Sequence, residues 1–210
     1  MENIFEQLGK LKLVPVIAIP ESRHARGLAK TLISVGLPCA EVTFRTAAAE
    51  DAIQIIATEF PEMVLGAGTV LNVEQAQRAK KAGAKYIVSP GFSPAVVKWC
   101  QENHIPVLPG VATPSEIMRA LEYGLVVLKF FPAENLGGTA TLKSLAGPFK
   151  EVRFIPTGGI TAAMLAEYLA LPNVLAVGGS WFVRESLIAE EKFEEIGQLT
   201  REAIALIQKV

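Results

Sequence analysis

Histidine and cysteine are scarce in this chain, and their scarcity limits the chemistry that the sequence allows. Only two histidines (His24, His104) and two cysteines (Cys39, Cys100) occur among 210 residues. The histidines lack the spacing of metal ligands, so we expect no metal centre and two solvated or hydrogen-bonded imidazoles. The cysteines lack the spacing of a disulfide framework, and we expect free, buried thiols in a reducing cytoplasm. No Gly-x-Ser-x-Gly elbow occurs, which argues against serine hydrolysis.

Long apolar runs, an excess of one charge and a targeting segment are also missing. No stretch approaches the roughly 18 apolar residues of a membrane span. The first residues show neither a secretory nor a transit pattern. The formal net charge is −1, from 20 basic and 21 acidic residues, which argues against binding to nucleic acid or an anionic membrane. An anionic ligand must therefore be bound by individually placed donors.

Short apolar strands alternate with amphipathic helices along the whole chain. The predicted strands are 14–19, 39–44, 63–66, 86–89, 106–108, 126–131, 152–155 and 174–178. Short, continuously apolar strands are typical of buried parallel sheets. Half of the residues are hydrophobic and no linker interrupts the pattern. We therefore predict one α/β domain over residues 1–210, a (β/α)8 TIM barrel with an N-terminal helix.

Several helix boundaries are marked by particular residues. The sequence Thr113-Pro114-Ser115-Glu116 has the pattern of a capping box with proline at the first helical position. Asn72 and Ser93 are predicted N-caps of the same kind. Three predicted helices are followed by a glycine, which suits the left-handed backbone conformation just beyond a helix end. These glycines are Gly36, Gly83 and Gly124.

Two predicted strands carry charged residues at positions that should be dry. Side chains alternate between faces along a strand, so Glu41, Thr43 and Arg45 share one face of the second strand. Lys129 and Phe131 share one face of the sixth strand. The opposite faces are apolar and suit the surrounding helices. The charged side chains should therefore point into the barrel near the carboxyl ends of the strands, where barrel active sites lie.

A lysine and a glutamate inside a barrel allow two interpretations. Lys129 and Glu41 could form a structural ion pair, because paired charges also occur in cores. Alternatively, burial beside Phe131 and the nearby Arg45 cation favour the neutral amine of Lys129, which can condense with a ketone. The resulting imine withdraws electrons and permits C–C cleavage, with Glu41 as proton carrier and Arg45 on the carboxylate of a 2-keto acid. The position at the strand ends favours the second interpretation.

Two glycine pairs follow the last two predicted strands, in Thr157-Gly158-Gly159-Ile160 and in Gly178-Gly179-Ser180. Glycine lets backbone N–H groups approach an anion closely, and a helix predicted to begin at Ser180 would direct its N-terminus at that anion. A single pair is more often a turn. Two pairs in these places predict the phosphate pocket of a barrel enzyme. Gly66-Ala67-Gly68 lacks the full spacing of a dinucleotide-binding motif and indicates no nucleotide site.

Eight ordered motifs give the chain a resemblance to the 2-keto-3-deoxy-6-phosphogluconate (KDPG) and 4-hydroxy-2-oxoglutarate (KHG) aldolases over nearly its whole length. They are VPVIAI, EVTFRT, GAGTVLN, SPGF, PGVATPSE, LKFFPAE, PTGGI and VGGSW. The resemblance implies a cytoplasmic, homotrimeric class I aldolase of carbohydrate metabolism, in the Entner–Doudoroff reactions, that needs no metal or other cofactor. It would cleave KDPG to pyruvate and D-glyceraldehyde 3-phosphate, and KHG to pyruvate and glyoxylate.

The resemblance also implies a role for each matched position. Lys129 corresponds to the Schiff-base lysine and Glu41 to the general acid and base. The remaining positions would hold the substrate: Arg45 and Thr69 the pyruvate carboxylate, Pro90 and Phe131 the pocket wall, and Gly158, Gly159, Gly179 and Ser180 the phosphate.

Two aromatic residues depart from the family pattern, and three other functions stay open. Phe44 and Phe130 stand where aliphatic residues are expected, but both should face the helices and leave the mechanism unaffected. One alternative is the aldolase for the galactonate epimer, which usually lacks a residue like Arg45. A second is a phosphate-binding barrel synthase resembling thiamine phosphate synthase, which gives no reason for an inward Lys129. The third is a non-catalytic sensor of sugar phosphates.

Overall fold

Parallel strands form the centre of the molecule in the computed structural model, which describes residues 3–208. The strands in these residues are β1 Leu13–Ile17, β2 Cys39–Thr43, β3 Val64–Gly68, β4 Tyr86–Val88, β5 Val107–Leu108, β6 Gly110–Val111, β7 Val127–Phe130, β8 Arg153–Pro156 and β9 Val177–Gly179. The eight predicted strands agree with β1–β5 and β7–β9 to within three residues at each end, and the short strand β6 was not predicted.

The strands β5 and β6 are two halves of one barrel position, separated by Pro109. Proline has no N–H to donate to a neighbouring strand, so the ladder is interrupted at this residue. The carbonyl of Pro109 still accepts a hydrogen bond from the backbone N–H of Lys129 at 3.0 Å. The nine strands of residues 3–208 therefore occupy eight positions.

All strand pairs are parallel, and together they close a barrel. One sheet has the order β5-β4-β3-β2-β1-β9 and the other has the order β6-β7-β8. Two isolated bridges, Phe154 with Val174 and Thr157 with Gly178, join the end of β8 to the region of β9. The predicted (β/α)8 architecture is confirmed, and so is a helix before the first strand.

Helices cover the outside of the barrel, and none in residues 3–208 is both long and apolar enough to cross a membrane. They are α1 Ile4–Leu11, α2 Ala25–Ser34, α3 Ala49–Glu59, α4 Val73–Ala82, α5 Pro94–Glu102, α6 Pro114–Glu122, α7 Gly138–Ala146, α8 Leu165–Leu169, α9 Glu185–Ala189 and α10 Phe193–Ile207. Asn72, Ser93 and Thr113 each accept a backbone hydrogen bond in the first helical turn, which confirms the three predicted N-caps.

The three glycines predicted at helix ends adopt the expected backbone conformation. Their φ angles are 83° at Gly36, 102° at Gly83 and 72° at Gly124. An L-residue with a side chain is disfavoured in this region, so glycine lets the chain leave α2, α4 and α6 and return to the next strand without strain.

His24 differs from the sequence expectation, whereas His104 is exposed as predicted. The side chain of His24 is 1% exposed and its ring nitrogens make no hydrogen bond within residues 3–208, although Nε2 lies 3.7 Å from Oε1 of Glu191. The sequence gives no indication of this burial, because His24 lies in a charged segment between Glu21 and Arg26.

The predicted state of the two cysteines is confirmed: Cys39 and Cys100 are free and buried. Burial raises the pKa of the Cys100 thiol to about 12 and also raises the pKa of the Cys39 thiol. Both thiols therefore keep their protons in the folded protein at pH values where an exposed thiol ionises.

We expect the folded state to lose stability as the pH rises above the ordinary thiol range. The unfolded chain releases the thiol protons from about pH 8.5 upward, while the folded chain retains them, so unfolding becomes more favourable. The free energy of unfolding should fall by up to about 1.4 kcal/mol per pH unit for each thiol. Urea titrations of the protein and of Cys100→Ala measure this slope. An equal slope in both would contradict the assignment to Cys100.

Candidate active site

Lys129 and Glu41 meet inside the barrel, from β7 and β2. Lys129 Nζ donates a hydrogen bond to Glu41 Oε1 at 3.0 Å, and the two side chains are 6% and 4% exposed. The location predicted for both side chains is confirmed. The geometry is that of a buried ion pair, and it also places a proton acceptor directly beside the amine. The function of the pair therefore depends on what surrounds it.

Glycines on β3 provide the space that the Glu41 side chain occupies. Gly66 is the register partner of Glu41 on this strand. A Cβ atom added at Gly68 would lie 2.3 Å from Glu41 Oε1, and one added at Gly66 would lie 2.2 Å from Cζ of Tyr86. Larger residues at either position would displace the carboxylate or the ring beside it. The motif Gly-Ala-Gly thus has a steric role near the lysine.

Aromatic and backbone groups surround the lysine on its other sides. The ammonium nitrogen of Lys129 lies 5.3 Å from the centre of the Phe131 ring. Gly110 is the register partner of Lys129, and a Cβ atom at Gly110 would lie 2.2 Å from the carbonyl oxygen of Pro90. Pro90 therefore packs next to the residue that is paired with Lys129 in the β6–β7 ladder.

Arg45 lies in the turn after β2 and is exposed, so the prediction that it shares a strand face with Glu41 is corrected. The strand ends at Thr43, whose hydroxyl donates to the carbonyl of Ile17 at 2.8 Å. Arg45 Nε donates to the same hydroxyl oxygen at 3.0 Å. This bond directs the guanidinium toward the cavity that the glycine pairs border.

A cavity of about 150 Å³ brings most of the predicted substrate-binding residues together. Six of them line it: Arg45, Phe131, Gly158, Gly159, Gly179 and Ser180. Thr69 and Pro90 are not among the lining residues. Thr69 directly follows Gly68 at the end of β3, and its φ angle of 56° is unusual for a residue with a branched side chain.

Four further residues line the cavity: Val16, Thr157, Ile160 and Gly178. Gly178 belongs to the second predicted glycine pair, and Thr157 and Ile160 flank the first, but no role was assigned to these three residues, and Val16 was not singled out. Thr157 is the most informative, because its side chain is 6% exposed and its hydroxyl oxygen has no hydrogen-bond partner among the described residues. A Cβ atom at Gly178 would lie 2.3 Å from that oxygen. A polar side chain at the carboxyl end of a buried strand was the signal that could have identified it.

The first glycine pair adopts a conformation that requires glycine. The φ angles are 102° at Gly158 and 78° at Gly159, in the left-handed region. At the second pair the requirement is steric, since a Cβ atom at Gly179 would lie 1.9 Å from the ring of Trp181. Both glycine pairs line the cavity, so the backbone approaches it closely at two places.

The prediction that a helix begins at Ser180 is wrong. Residues 180–184 form a turn, in which the N–H of Val183 donates to the carbonyl of Ser180 at 3.1 Å, and α9 begins only at Glu185. Trp181 folds back over Gly179 and contacts Phe182 edge-on at 5.0 Å between ring centres. The backbone that borders the cavity at Gly179 and Ser180 is therefore the end of a strand and a turn, and no helix begins there.

The two aromatic departures from the family pattern face outward, as expected. Arg78 of α4 lies 5.9 Å above the ring of Phe44. Phe130 is fully buried and contacts Phe154 edge-on at 6.3 Å between ring centres. Neither residue lines the cavity, so both act on the packing between strands and helices.

The resulting site combines an amine with an adjacent carboxylate and a cavity with a cation at its border. Such an arrangement can condense with a carbonyl, move protons at the condensed atom, and hold a ligand with a negative charge at each end. No group of three or more His, Cys, Asp and Glu side chains within residues 3–208 is arranged to hold a metal ion.

Comparison with known proteins identifies the family. The sequence model of the family "KDPG and KHG aldolase" matches residues 4–199. A Treponema pallidum protein named 2-dehydro-3-deoxy-phosphogluconate aldolase is 49% identical over 207 residues, 99% of each chain. The Escherichia coli K12 KHG/KDPG aldolase is 46% identical over 192 residues, 91% of this chain and 90% of that one.

Solved structures agree with this comparison. The structure of KDPG aldolase from Legionella pneumophila has a TM-score of 0.92 and 39% sequence identity, covering 95% of this chain and 97% of that chain. It holds pyruvate as a covalent carbinolamine intermediate. The identity, the coverage and the fold lead to one conclusion: this chain is a member of the KDPG and KHG aldolase family.

Proposed function

We propose that this protein is a class I aldolase, a lyase that cleaves KDPG to pyruvate and D-glyceraldehyde 3-phosphate through a Schiff base on Lys129. KHG, which would yield pyruvate and glyoxylate, is the second substrate of the proposal. One observation carries it: a buried lysine bonded to a buried glutamate, beside a cavity bordered by an arginine and two glycine pairs.

The two negatively charged ends of the substrate would each bind to hydrogen-bond donors. The guanidinium of Arg45 suits the carboxylate at C1, because a planar fork of donors matches two carboxylate oxygens. The N–H groups near Gly158 and Gly179 suit the phosphate at C6. Phe131 lines the cavity between them and excludes water. Two further residues belong to the proposal because they match the family pattern: Thr69 on the carboxylate, and Pro90 on the pocket wall, where it packs beside Gly110.

Formation of the imine uses the contact between Lys129 and Glu41. The Glu41 carboxylate takes a proton from the ammonium, and the neutral amine attacks C2 of the ketone to give a carbinolamine. The C2 oxygen then leaves as water, with a proton returned by Glu41. The protonated imine that results is an acceptor for electrons released at C3. A buried ion pair of purely structural purpose would explain neither the adjoining cavity nor its cation.

Cleavage and release reuse the same carboxylate. Glu41 accepts the proton of the C4 hydroxyl, the C3–C4 bond breaks, and its electrons move into the imine to form an enamine. The C4 fragment leaves as an aldehyde. Protonation at C3 and addition of water at C2 then release pyruvate and regenerate the Lys129 amine. Each proton moves close to the position that Glu41 Oε1 occupies, 3.0 Å from Nζ.

Reductive trapping tests the proposal directly. Incubation with pyruvate and borohydride should increase the protein mass by that of pyruvic acid less one oxygen atom, because imine formation releases water and reduction adds two hydrogens. Peptide mapping should assign the increase to Lys129. Borohydride without pyruvate is the control. An unchanged mass would favour the synthase and sensor alternatives.

Turnover of KDPG and of its galactonate epimer distinguishes the two hypotheses about the substrate. Pyruvate released from KDPG and from its galactonate epimer is measured side by side by oxidation of NADH with lactate dehydrogenase. Because Arg45 matches the gluconate pattern, the KDPG reaction should have the higher kcat/KM. The reverse order would assign the chain to the galactonate substrate.

The proposal extends to organisation and partners. We include one barrel domain for residues 1–210, a phosphorylated 2-keto acid as ligand, and a cytoplasmic homotrimer. The trimer enters the proposal on the resemblance to the family.

A further inference from the structure

Backbone hydrogen bonds connect the turn at Gly158 and Gly159 to the segment that follows β7. The N–H of Ala133 donates to the carbonyl of Thr157 at 2.8 Å, and the N–H of Glu134 donates to the carbonyl of Gly158 at 3.1 Å. In a planar trans peptide the C=O and the next residue's N–H point in opposite directions. These two bonds therefore direct the N–H groups of Gly158 and Gly159 away from residues 133–134, where an anion can accept from them.

The Glu134 side chain continues this contact. A Cβ atom added at Gly159 would lie 2.7 Å from Glu134 Cβ, so the stem of the side chain packs directly against the turn. The carboxylate of Glu134 is turned to the other side, where Oε1 accepts a hydrogen bond from the hydroxyl of Tyr168. A Cβ atom at Gly138 would lie 2.8 Å from that carboxylate oxygen and 3.0 Å from the Tyr168 hydroxyl.

Tyr168 lies in α8 and is 1% exposed. Burial, followed by the hydrogen bond to Glu134, raises the pKa of its hydroxyl, which stays protonated and able to donate. The helix α8 comes shortly after the glycine turn in the chain, whereas Glu134 comes from the segment before it. The hydrogen bond between Tyr168 and Glu134 thus connects the segments on both sides of the turn.

We propose that Glu134 and Tyr168 are positioning residues, which hold the Gly158–Gly159 turn in the shape that receives the substrate's phosphate. Neither side chain lines the cavity. The inference rests on the proposed function for the identity of the ligand. It assigns to this pair the preference for a phosphorylated substrate over an unphosphorylated one.

The charge of Glu134 makes its orientation important. A carboxylate free to turn toward the cavity would repel a phosphate, since like charges at short range oppose each other. The Tyr168 hydroxyl keeps the carboxylate on the Gly138 side. Tyr168→Phe therefore removes the bond and leaves the Glu134 carboxylate free to turn toward the cavity beside the Gly158–Gly159 turn. Glu134→Gln keeps an oxygen that can accept from Tyr168 and loses the charge.

Steady-state kinetics on KDPG and KHG test the inference, because KHG has no phosphate. Tyr168→Phe and Glu134→Ala should each raise KM for KDPG about tenfold, the effect of one lost hydrogen bond, with kcat within about twofold of wild type. Both constants for KHG should be unchanged. Competitive inhibition by inorganic phosphate should weaken by the same factor as KM for KDPG rises. Glu134→Gln should retain the wild-type KM.

Glu167→Gln is the matched control. This residue lies in the same helix, but its exposed carboxylate has other partners: it accepts a hydrogen bond from Thr139 at 2.5 Å and lies 3.8 Å from Lys143. Its kinetic constants should equal those of wild type. Tyr168→Phe removes a single oxygen atom, so it decides the question even if Glu134→Ala does not fold.

Two outcomes would overturn the inference. One is an unchanged KM for KDPG in Tyr168→Phe, and the other is an equal loss on KDPG and KHG, which would indicate a general structural role. Failure of the proposed function would look different, because the wild-type protein would then form no pyruvate adduct and cleave neither substrate.

Discussion

Lys129→Arg is expected to abolish both the cleavage of KDPG and the covalent capture of pyruvate, while the protein stays folded. Arginine keeps a cation against Glu41, so the buried carboxylate retains a partner. Its guanidinium does not lose a proton at any accessible pH and cannot form the imine. The loss in kcat/KM should be at least about 10⁴-fold, as for other residues on which a covalent intermediate forms.

Lys129→Ala serves to separate chemistry from stability. It should be equally inactive, but it leaves Glu41 buried without its cation, which costs about 3–5 kcal/mol of the free energy of unfolding. Urea unfolding measures this loss, and intact-protein mass spectrometry measures the adduct. Lys98→Ala, at an exposed lysine of α5, is the control and should match wild type in both. A pyruvate adduct in Lys129→Arg would contradict the assignment of the nucleophile.

Glu41→Gln is expected to retain the pyruvate adduct and to lose turnover by about 10²–10⁴-fold, the usual range for general acid and base groups. The amide has nearly the same shape and fills the space beside Gly66 and Gly68. It cannot accept the proton of the C4 hydroxyl, so cleavage of the C3–C4 bond stops while imine formation still occurs slowly. The adduct is therefore measured at the end point of a long incubation, and kcat is measured separately.

Glu102→Gln is the corresponding control for a glutamate. Its carboxylate is exposed on α5, a helix on the outside of the barrel, and lies 3.8 Å from Lys98. It should leave adduct formation and turnover unchanged. Wild-type turnover in Glu41→Gln would remove this residue from its role as proton carrier, and the interpretation of a structural ion pair would then account for its contact with Lys129.

Local patterns were sufficient to predict the fold class and the inward charges. The period of two along a strand placed Glu41 and Lys129 on inner faces, because the residues next to each of them in its strand are apolar and suit the helices. Helix ends were equally local, since an N-cap such as Thr113 acts on residues three positions away. These features depend on neighbours in sequence, and the structure agrees with them.

Contacts between distant segments could not be predicted in the same way. The space for Glu41 depends on which residue of β3 lies opposite it, and this register is set by the whole sheet. The turn after β2 and the turn at Ser180 each carry a side chain that contacts an earlier residue. Arg45 Nε donates to the hydroxyl oxygen of Thr43, and the Trp181 ring lies against Gly179. The bond from Tyr168 to Glu134 joins two segments that no short motif contains.

Between β8 and the region of β9, two isolated bridges replace a continuous ladder. Gly158 and Gly159 follow β8, and Gly179 closes β9, so the proposed phosphate site spans this gap. A bound phosphate would accept hydrogen bonds from both strands and supply the cross-links that the backbone lacks. A ligand that binds only the closed arrangement stabilises it. The protein would then be most rigid with substrate bound, and would loosen along this one seam each time product departs.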